Sequence, residues 1–272
     1  MTKTRNVKGA LAECFKELHL PAMRQSFEEE AGRARAESFS YEQYLLCVAE
    51  REIESRRQNR VARLVRQSRL PLEKTFGSFE RKRLPAKIDR QLNVLLEGGF
   101  VDRCENLLAF GNPGSGKTHL LCAIGHELVR QGRSVLFTTC SNLVQELLRA
   151  KRDLKLERAL KRLRGFEALI VDDIGYVQHE RDEMEVLFAL LADRYERASI
   201  LLTSNLPFSK WEVIFKDPMT TAAAIDRLVH HSIIVELNVK SYRLEAAAKQ
   251  KGDDKTQALT SGMGAPAVEM AP

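Results

Sequence analysis

The chain has no long hydrophobic run. Its longest unbroken apolar stretch, Val186 to Ala192, is seven residues, far short of the ~20 that a membrane-spanning helix needs. The amino terminus, Met1-Thr-Lys-Thr-Arg-Asn6, leads into no apolar stretch, so no secretory signal is visible. Cysteine is scarce: Cys14, Cys47, Cys104, Cys122 and Cys140 are scattered, and none forms a CxxC pair. An odd, dispersed set argues against a disulfide framework and a zinc site, and fits a reducing cytosol with the cysteines as small buried hydrophobes. The expectation is a cytoplasmic protein without membrane association.

What is present is apolar content and concentrated basic charge. Hydrophobic residues make up 44% of 272 residues, which suits one medium domain plus an appendage, because single cores stop growing at roughly 250–300 residues. The formal net charge is +6, unevenly spread. Arg51 to Arg90 holds 13 Lys and Arg against 5 acids, Arg149 to Arg164 holds 8 against 2, and the remainder is net acidic. Two basic blocks point to a polyanion partner, with a pair of solvated helix faces as the plainer alternative.

The first ~70 residues carry helical periodicity, with Leu11, Phe15 and Leu18, then Tyr44, Leu45, Val48 and Ile53, at three- and four-residue spacings. Pro21 and Gly32 interrupt the run, so several helices are expected. Ser40 followed by Gln43 three residues later is the pattern of a reciprocal helix cap. Leu70-Pro71 closes this region, and Thr75 to Phe79 reads as a linker. Beyond it, apolar runs at Asn106–Phe110, Ser134–Thr139, Ala168–Asp172, Ser199–Thr203 and Ser232–Leu237 alternate with helical stretches. That alternation predicts an α/β fold, a parallel sheet covered by helices on both faces. The expected organisation is a helical region over 1–70, an α/β domain over 71–249 and a disordered tail over 250–272.

Gly111-Asn112-Pro113-Gly114-Ser115-Gly116-Lys117-Thr118 fits GxxxxGK[ST], with a strand running in and an apolar helix, His119 to Arg130, running out. Glycines let the loop backbone turn its N–H groups towards phosphates, and the helix terminus adds positive potential. The loop through His119 is therefore assigned to ATP, with Lys117 on the β- and γ-phosphates and the Thr118 hydroxyl on Mg2+. The run Ala168-Leu-Ile-Val-Asp172-Asp173 would deliver Asp172 to the magnesium, and Asp173 to the attacking water. Asp173 as an exposed loop acid is the alternative. Ile200-Leu-Leu-Thr-Ser-Asn205 would place Asn205 near the γ-phosphate or the lytic water. The side chains of His119 and His126 read as packing residues, and Trp211, the single tryptophan, as a core anchor.

In this order the three motifs resemble the AAA+ ATPases, in the branch of bacterial initiators and helicase loaders. Val135-Leu-Phe-Thr-Thr139, Asp193-Arg-Tyr-Glu-Arg197, Thr203-Ser-Asn-Leu-Pro-Phe208, Asp226-Arg-Leu-Val-His-His231 and Ser241-Tyr-Arg243 are similar to the IstB-like insertion-sequence ATP-binding proteins. Tyr41-Glu-Gln-Tyr-Leu45 and Glu50-Arg-Glu-Ile-Glu54 look similar too, so the resemblance covers about residues 8–248. It implies a transposition helper that binds duplex DNA in an ATP-dependent way, forms homo-oligomers that deform DNA, and serves a transposase encoded by the same element. The helical region would support self-assembly and partner contacts.

Within that frame Arg227 is the candidate arginine finger, reaching a neighbour's nucleotide near a subunit interface; a salt bridge to Asp226 is the alternative. Arg194 and Arg197 are further candidates, although the acids around them favour solvated positions. No separate carboxyl-terminal lid is expected, only one helix after Leu237, on which Arg243 could act as a sensor. In Arg149–Arg164, Leu154, Leu156, Leu160 and Leu163 supply an apolar stripe. Lys151, Arg152, Lys155, Arg158, Lys161 and Arg162 are assigned as a group to DNA phosphates, in the interval where initiator relatives carry their DNA-contacting insertion. Arg56, Arg57, Arg60, Arg63 and Arg66 form a second basic surface, equally suited to acidic proteins. Competing readings are a helicase loader acting on single-stranded DNA, a P-loop kinase of small molecules, and an adaptor that binds nucleotide without hydrolysing it.

Overall fold

The computed structural model describes residues 6–174, 181–211, 218–239 and 241–242. The chain divides into one unit of Met1–Gln67 with Arg130–Gly132, and a second of Ser68–Val129 with Arg133–Pro272. In the first, α1 (Val7–Glu17), α2 (Pro21–Ala36) and α3 (Tyr41–Ser68) follow one another. Asn6 caps α1 by accepting from the Gly9 N–H at 3.0 Å. Pro21 opens α2, where its missing N–H costs nothing. Gly32, expected to break the helix, lies inside α2: a single glycine weakens a helix by only ~1 kcal/mol, and packing overrides that. The Ser40–Gln43 reciprocal cap forms as expected, with the Gln43 N–H reaching Ser40 Oγ at 3.2 Å and the Ser40 N–H reaching Gln43 Oε1 at 2.8 Å.

The amino end of α2 has no cap of its own, because Leu20 offers no side-chain acceptor. Glu52 supplies one from α3, accepting from Ala22 N at 2.8 Å and Met23 N at 3.1 Å. Arg56 donates to the same carboxylate at 2.8 Å and to the His19 carbonyl at 2.7 Å. The edge-on rings of Phe15 and Phe27, 5.6 Å apart, join α1 to α2.

In the second unit each apolar run forms a strand: β1 (Asn106–Gly111), β2 (Val135–Thr139), β3 (Ala168–Ile174), β4 (Ser199–Ser204) and β5 (Ser232–Leu237). They form one parallel sheet in the order β2-β3-β4-β1-β5. The helices are α4 (Ala86–Leu96), α5 (Gly99–Asp102), α6 (Lys117–Arg130), α7 (Cys140–Arg152), α8 (Leu156–Arg164), α9 (Arg181–Arg194) and α10 (Pro218–Val229). Strand residues Leu108, Phe110, Leu169, Val171 and Leu202 share one core with Leu143 and Leu147 of α7, Leu187 and Leu190 of α9, and Leu228 of α10. Trp211 joins this core fully buried, its indole N–H donating to the Leu206 carbonyl at 3.2 Å, as a core anchor should. The alternate strand residues Leu107, Ala109 and Ile170 are buried as well, and Gly125 of α6 lies directly against Ile170. Burial on both faces is why these strands read as unbroken apolar runs.

Asn106 stitches the base of the sheet together. Its amide donates to the Leu228 carbonyl at 3.0 Å and accepts from Ile200 N at 2.9 Å. Cys122 and Cys140 are buried, and burial pushes each thiol up to about 12; Cys14 is exposed instead.

Two further sequence expectations change. Leu156, Leu160 and Leu163 pack inward, but Leu154 is 95% exposed, because α7 ends at Arg152 and Leu154 belongs to the turn. Arg194 neither faces solvent nor offers itself to a neighbour: it is 1% exposed and donates to the carbonyls of Leu163, Phe166 and Ser199 at 2.9–3.0 Å. Burial lowers its pKa to about 10, which leaves it charged at neutral pH. The helix expected after Leu237, Arg243 and the tail lie outside the described residues.

Candidate nucleotide site

The site assembles at the carboxyl ends of β1, β3 and β4, where open parallel sheets bind ligands. Between β1 and α6 the loop holds conformations that only glycine adopts at ease. At Gly111, φ 149°, a Cβ would collide with the Leu237 carbonyl of β5; at Gly114, φ 79°, it would collide with Ser241. Lys117 is buried, with Nζ donating to the carbonyls of Gly111 at 2.7 Å and Asn112 at 2.9 Å. Ser115 Oγ is buried with no hydrogen-bond partner among the described residues.

Opposite the loop, Thr118 Oγ1 donates to Asp172 Oδ1 at 2.8 Å. Thr203 Oγ1 donates to the same oxygen at 2.7 Å and accepts the Asp173 N–H at 2.7 Å. The β3–β4 pairing runs in register to Val171, then slips so that Ile174 meets Ser204. Asp173 takes up the slip at φ 68° and is exposed, while Ile174 is buried. An extra residue at a strand end is a common way to aim a side chain beside an active site. Thr203 was not singled out as a functional side chain from sequence. Its signal was a pair of hydroxyls, Thr203 and Ser204, closing an apolar run, since such groups must find partners when buried. Asn205, just beyond β4, has Oδ1 buried without a partner among the described residues.

A cavity of ≈ 260 Å3 adjoins the loop, lined by Lys74, Phe79, Gly116, Thr118, His119 and Tyr242 among others. The segment Thr75–Phe79, expected to be a linker, is thus one wall of the site. His119 packs there as expected, its Nε2 3.0 Å from the Thr75 carbonyl and its ring edge-on to Phe79 at 5.2 Å. His126 likewise meets the Pro71 carbonyl at 3.0 Å. Tyr242 closes the opposite side: its N–H donates to the Gly114 carbonyl at 3.0 Å, and Arg83 stacks on its ring at 4.4 Å. Phe79 and Tyr242 give the cavity aromatic walls suited to a planar base.

The residues present fit a nucleotide and a divalent cation. The loop is closed to any Cβ at Gly111 and Gly114, Lys117 is held over it, and a hydroxyl and a carboxylate lie 2.8 Å apart. Hydroxyl and carboxylate oxygens are what Mg2+ takes alongside substrate phosphates.

Arg227 on α10 is half-buried; it donates to the Ala223 carbonyl at 2.9 Å and lies over the Phe188 ring at 4.6 Å. Among the described residues no ion pair joins it to Asp226. Its neighbour Leu228 is bonded to Asn106 at the start of β1, and Gly111 lies five residues further along, ~16 Å at ~3.3 Å per residue. Arg227 therefore sits at the end of the sheet opposite its own phosphate loop. Arg197 is exposed.

The six basic residues between β2 and β3 lie on α7, α8 and their turn. Lys151 bonds Glu185 at 2.8 Å and Asp182 at 3.2 Å, which holds its pKa above the usual range, and Arg162 pairs with Glu146. Lys155 meets Asp153 at 3.8 Å. The side chains of Arg152, Arg158 and Lys161 are exposed, with no ion pair among the described residues.

This sheet order, with the loop after β1 and paired aspartates closing β3, defines a P-loop ATPase of the AAA+ class. The chain belongs to the family of IstB-like ATP-binding proteins, whose model matches residues 13–250. It is 41% identical over 236 residues to an insertion sequence ATP-binding protein of Sinorhizobium fredii, covering 86% of this chain and 79% of the relative. It is 37% identical to the insertion sequence IS5376 ATP-binding protein of Geobacillus stearothermophilus, covering 92% and 100%. Among solved structures, DnaI matches with a TM-score of 0.53 at 20% identity, over 63% of this chain and 96% of that one. AMPPCP-bound DnaA from Aquifex aeolicus matches with a TM-score of 0.51 at 18% identity, over 69% of this chain and little more than half of that one, 56%. These structures share the fold.

Proposed function

We propose that this protein is an ATP-hydrolysing transposition helper that assembles on duplex DNA in the cytoplasm and presents it to a transposase encoded by the same element. The observation that carries the ATPase reading is the chain of hydrogen bonds from Thr118 through Asp172 to Thr203. It fixes the hydroxyl and carboxylate that would hold Mg2+, and the same Thr203 oxygen holds the backbone of Asp173. The cation would screen phosphate charge and orient the β- and γ-oxygens. Lys117 would bind those phosphates, Asp173 would take the proton of the attacking water, and Asn205 would orient that water. Arg227, at the far end of its own sheet, would complete the site of a neighbouring copy.

The DNA and transposase parts of the reading are supported by the family and by the uncompensated cations of the α7–α8 hairpin. Contacts to phosphates alone would make binding steeply salt-dependent and weakly sequence-specific. Steady-state hydrolysis with and without duplex tests the proposal: turnover that depends on Asp173 and rises with duplex supports it. Turnover unchanged in Asp173→Asn would leave an adaptor that only binds nucleotide.

A further inference from the structure

The turn between α7 and α8 is built around an unusual leucine. The Leu154 N–H donates to the Lys151 carbonyl at 3.0 Å and the Lys155 N–H to the Ala150 carbonyl at 2.7 Å. This pair of bonds closes a helix end by placing one residue in the left-handed region, where glycine is the usual choice. Here the residue is Leu154, at φ 57°. A leucine in this conformation is strained relative to glycine, and at 95% exposure it recovers nothing by packing. The fold therefore gains nothing from a leucine at this point.

Its surroundings say what it meets. Its immediate neighbours are Asp153 and Lys155, whose charged groups lie 3.8 Å from each other. Arg152 precedes them, Arg158 and Lys161 follow on α8, and the side chains of Arg152, Arg158 and Lys161 are exposed without ion pairs among the described residues. An apolar side chain at the tip of a cationic hairpin matches a duplex, whose phosphates take the charges and whose stacked bases take the hydrocarbon. Proteins that deform DNA insert leucine and similar side chains between base steps, partly unstacking them.

We infer that Leu154 is a wedge that enters a base step of bound duplex DNA while the neighbouring cations hold the phosphates. The inference rests on the duplex-binding reading above and adds to it a defined point of deformation. Steps that unstack easily, such as pyrimidine–purine steps, would then be favoured without any base-edge hydrogen bond.

The test uses the full-length chain with ATP and a panel of duplexes carrying 2-aminopurine at successive positions. Anisotropy of an end label reports binding, and 2-aminopurine fluorescence reports unstacking. The wild-type protein is expected to raise the fluorescence at discrete steps. Leu154→Gly and Leu154→Ala are expected to lose that rise, and Leu154→Met to restore it. Leu154→Gly is also expected to melt no lower than the parent, because it relieves the left-handed strain; loss of unstacking without loss of stability separates a wedge from a structural role. Duplex binding by the wild type with no rise, or a rise that survives in Leu154→Gly, overturns the wedge alone and leaves Leu154 as a contact for protein. Absence of duplex binding by the wild type overturns the wedge together with the reading it rests on.

Discussion

Thr203 is bonded to Asp172 at 2.7 Å through the hydroxyl that also receives the Asp173 N–H. One side chain on β4 thus sets the position of both acids at the end of β3. Removing it would leave the Asp172 carboxylate held by Thr118 alone and the exposed acid without its backbone anchor. Thr203→Val, which keeps the shape and deletes the hydroxyl, is expected to lower ATP turnover about 10–100-fold, the usual effect of losing a group that orients a metal ligand. Thr203→Ser should recover much of the loss. A steady-state assay across a Mg2+ titration checks this, and wild-type turnover in Thr203→Val would remove the residue from the account.

Arg227 lies beyond reach of its own loop, so in the proposed function it acts on the nucleotide of a neighbouring copy. Arg227→Ala is expected to retain ATP binding and to lose hydrolysis by about 10³-fold or more, the range found for arginine fingers. Mixing it with Lys117→Ala, which is expected to lose ATP binding but offers an intact Arg227, should restore part of the activity. Mixed samples no more active than either variant alone would place the finger elsewhere.

Arg194 is a stability residue. Its guanidinium serves the carbonyls of Leu163, Phe166 and Ser199 from a buried position. Arg194→Met would strand those acceptors, each at a cost of about 1–3 kcal/mol. The expected loss is at least about 3 kcal/mol on that scale, measurable by urea unfolding. A change below 1 kcal/mol would show that the carbonyls find other donors.

Glu52 gives the helical unit a pH dependence. Burial pushes its carboxyl pKa up, but Arg56 and the N–H groups of Met23 and Ala22 outweigh that and hold it below the ordinary value of 4.5. The charged form is therefore favoured by folding, so the stabilisation is complete above 4.5 and is lost as the pH falls through the lower folded value. Glu52→Gln should weaken the start of α2 by about 1–2 kcal/mol at pH 7. Hydrogen-exchange protection of the α2 amides in the full chain should fall in the variant at pH 7, and by much less at acid pH. Equal losses at both pH values would assign Glu52 a packing role.

The sequence shows best what is local. Parallel strands buried on both faces spell out apolar runs, and the phosphate loop writes its glycines and Lys117 side by side, so all five strands and the loop were legible. Asp172 was legible because an acid at the end of an apolar run has few reasons to be there. Phe79 and Tyr242 were not, because they reach the cavity from positions more than 160 residues apart and nothing in either stretch of sequence marks its ring as facing a site. Arg194 was misread because acids on both sides make a solvated surface the simpler reading; only the three carbonyls that converge on it from other segments explain its burial. Leu154 fitted a helical spacing on paper, but the helix had already ended.

The central claim is an ATP-dependent grip on duplex DNA, and anisotropy of labelled duplex and single-stranded DNA with ATP, ADP or no nucleotide, at two salt concentrations, tests it most directly. The account predicts duplex binding that requires ATP, weakens steeply with salt and is abolished by Lys117→Ala. Preference for the single strand, or duplex binding indifferent to nucleotide, would contradict it.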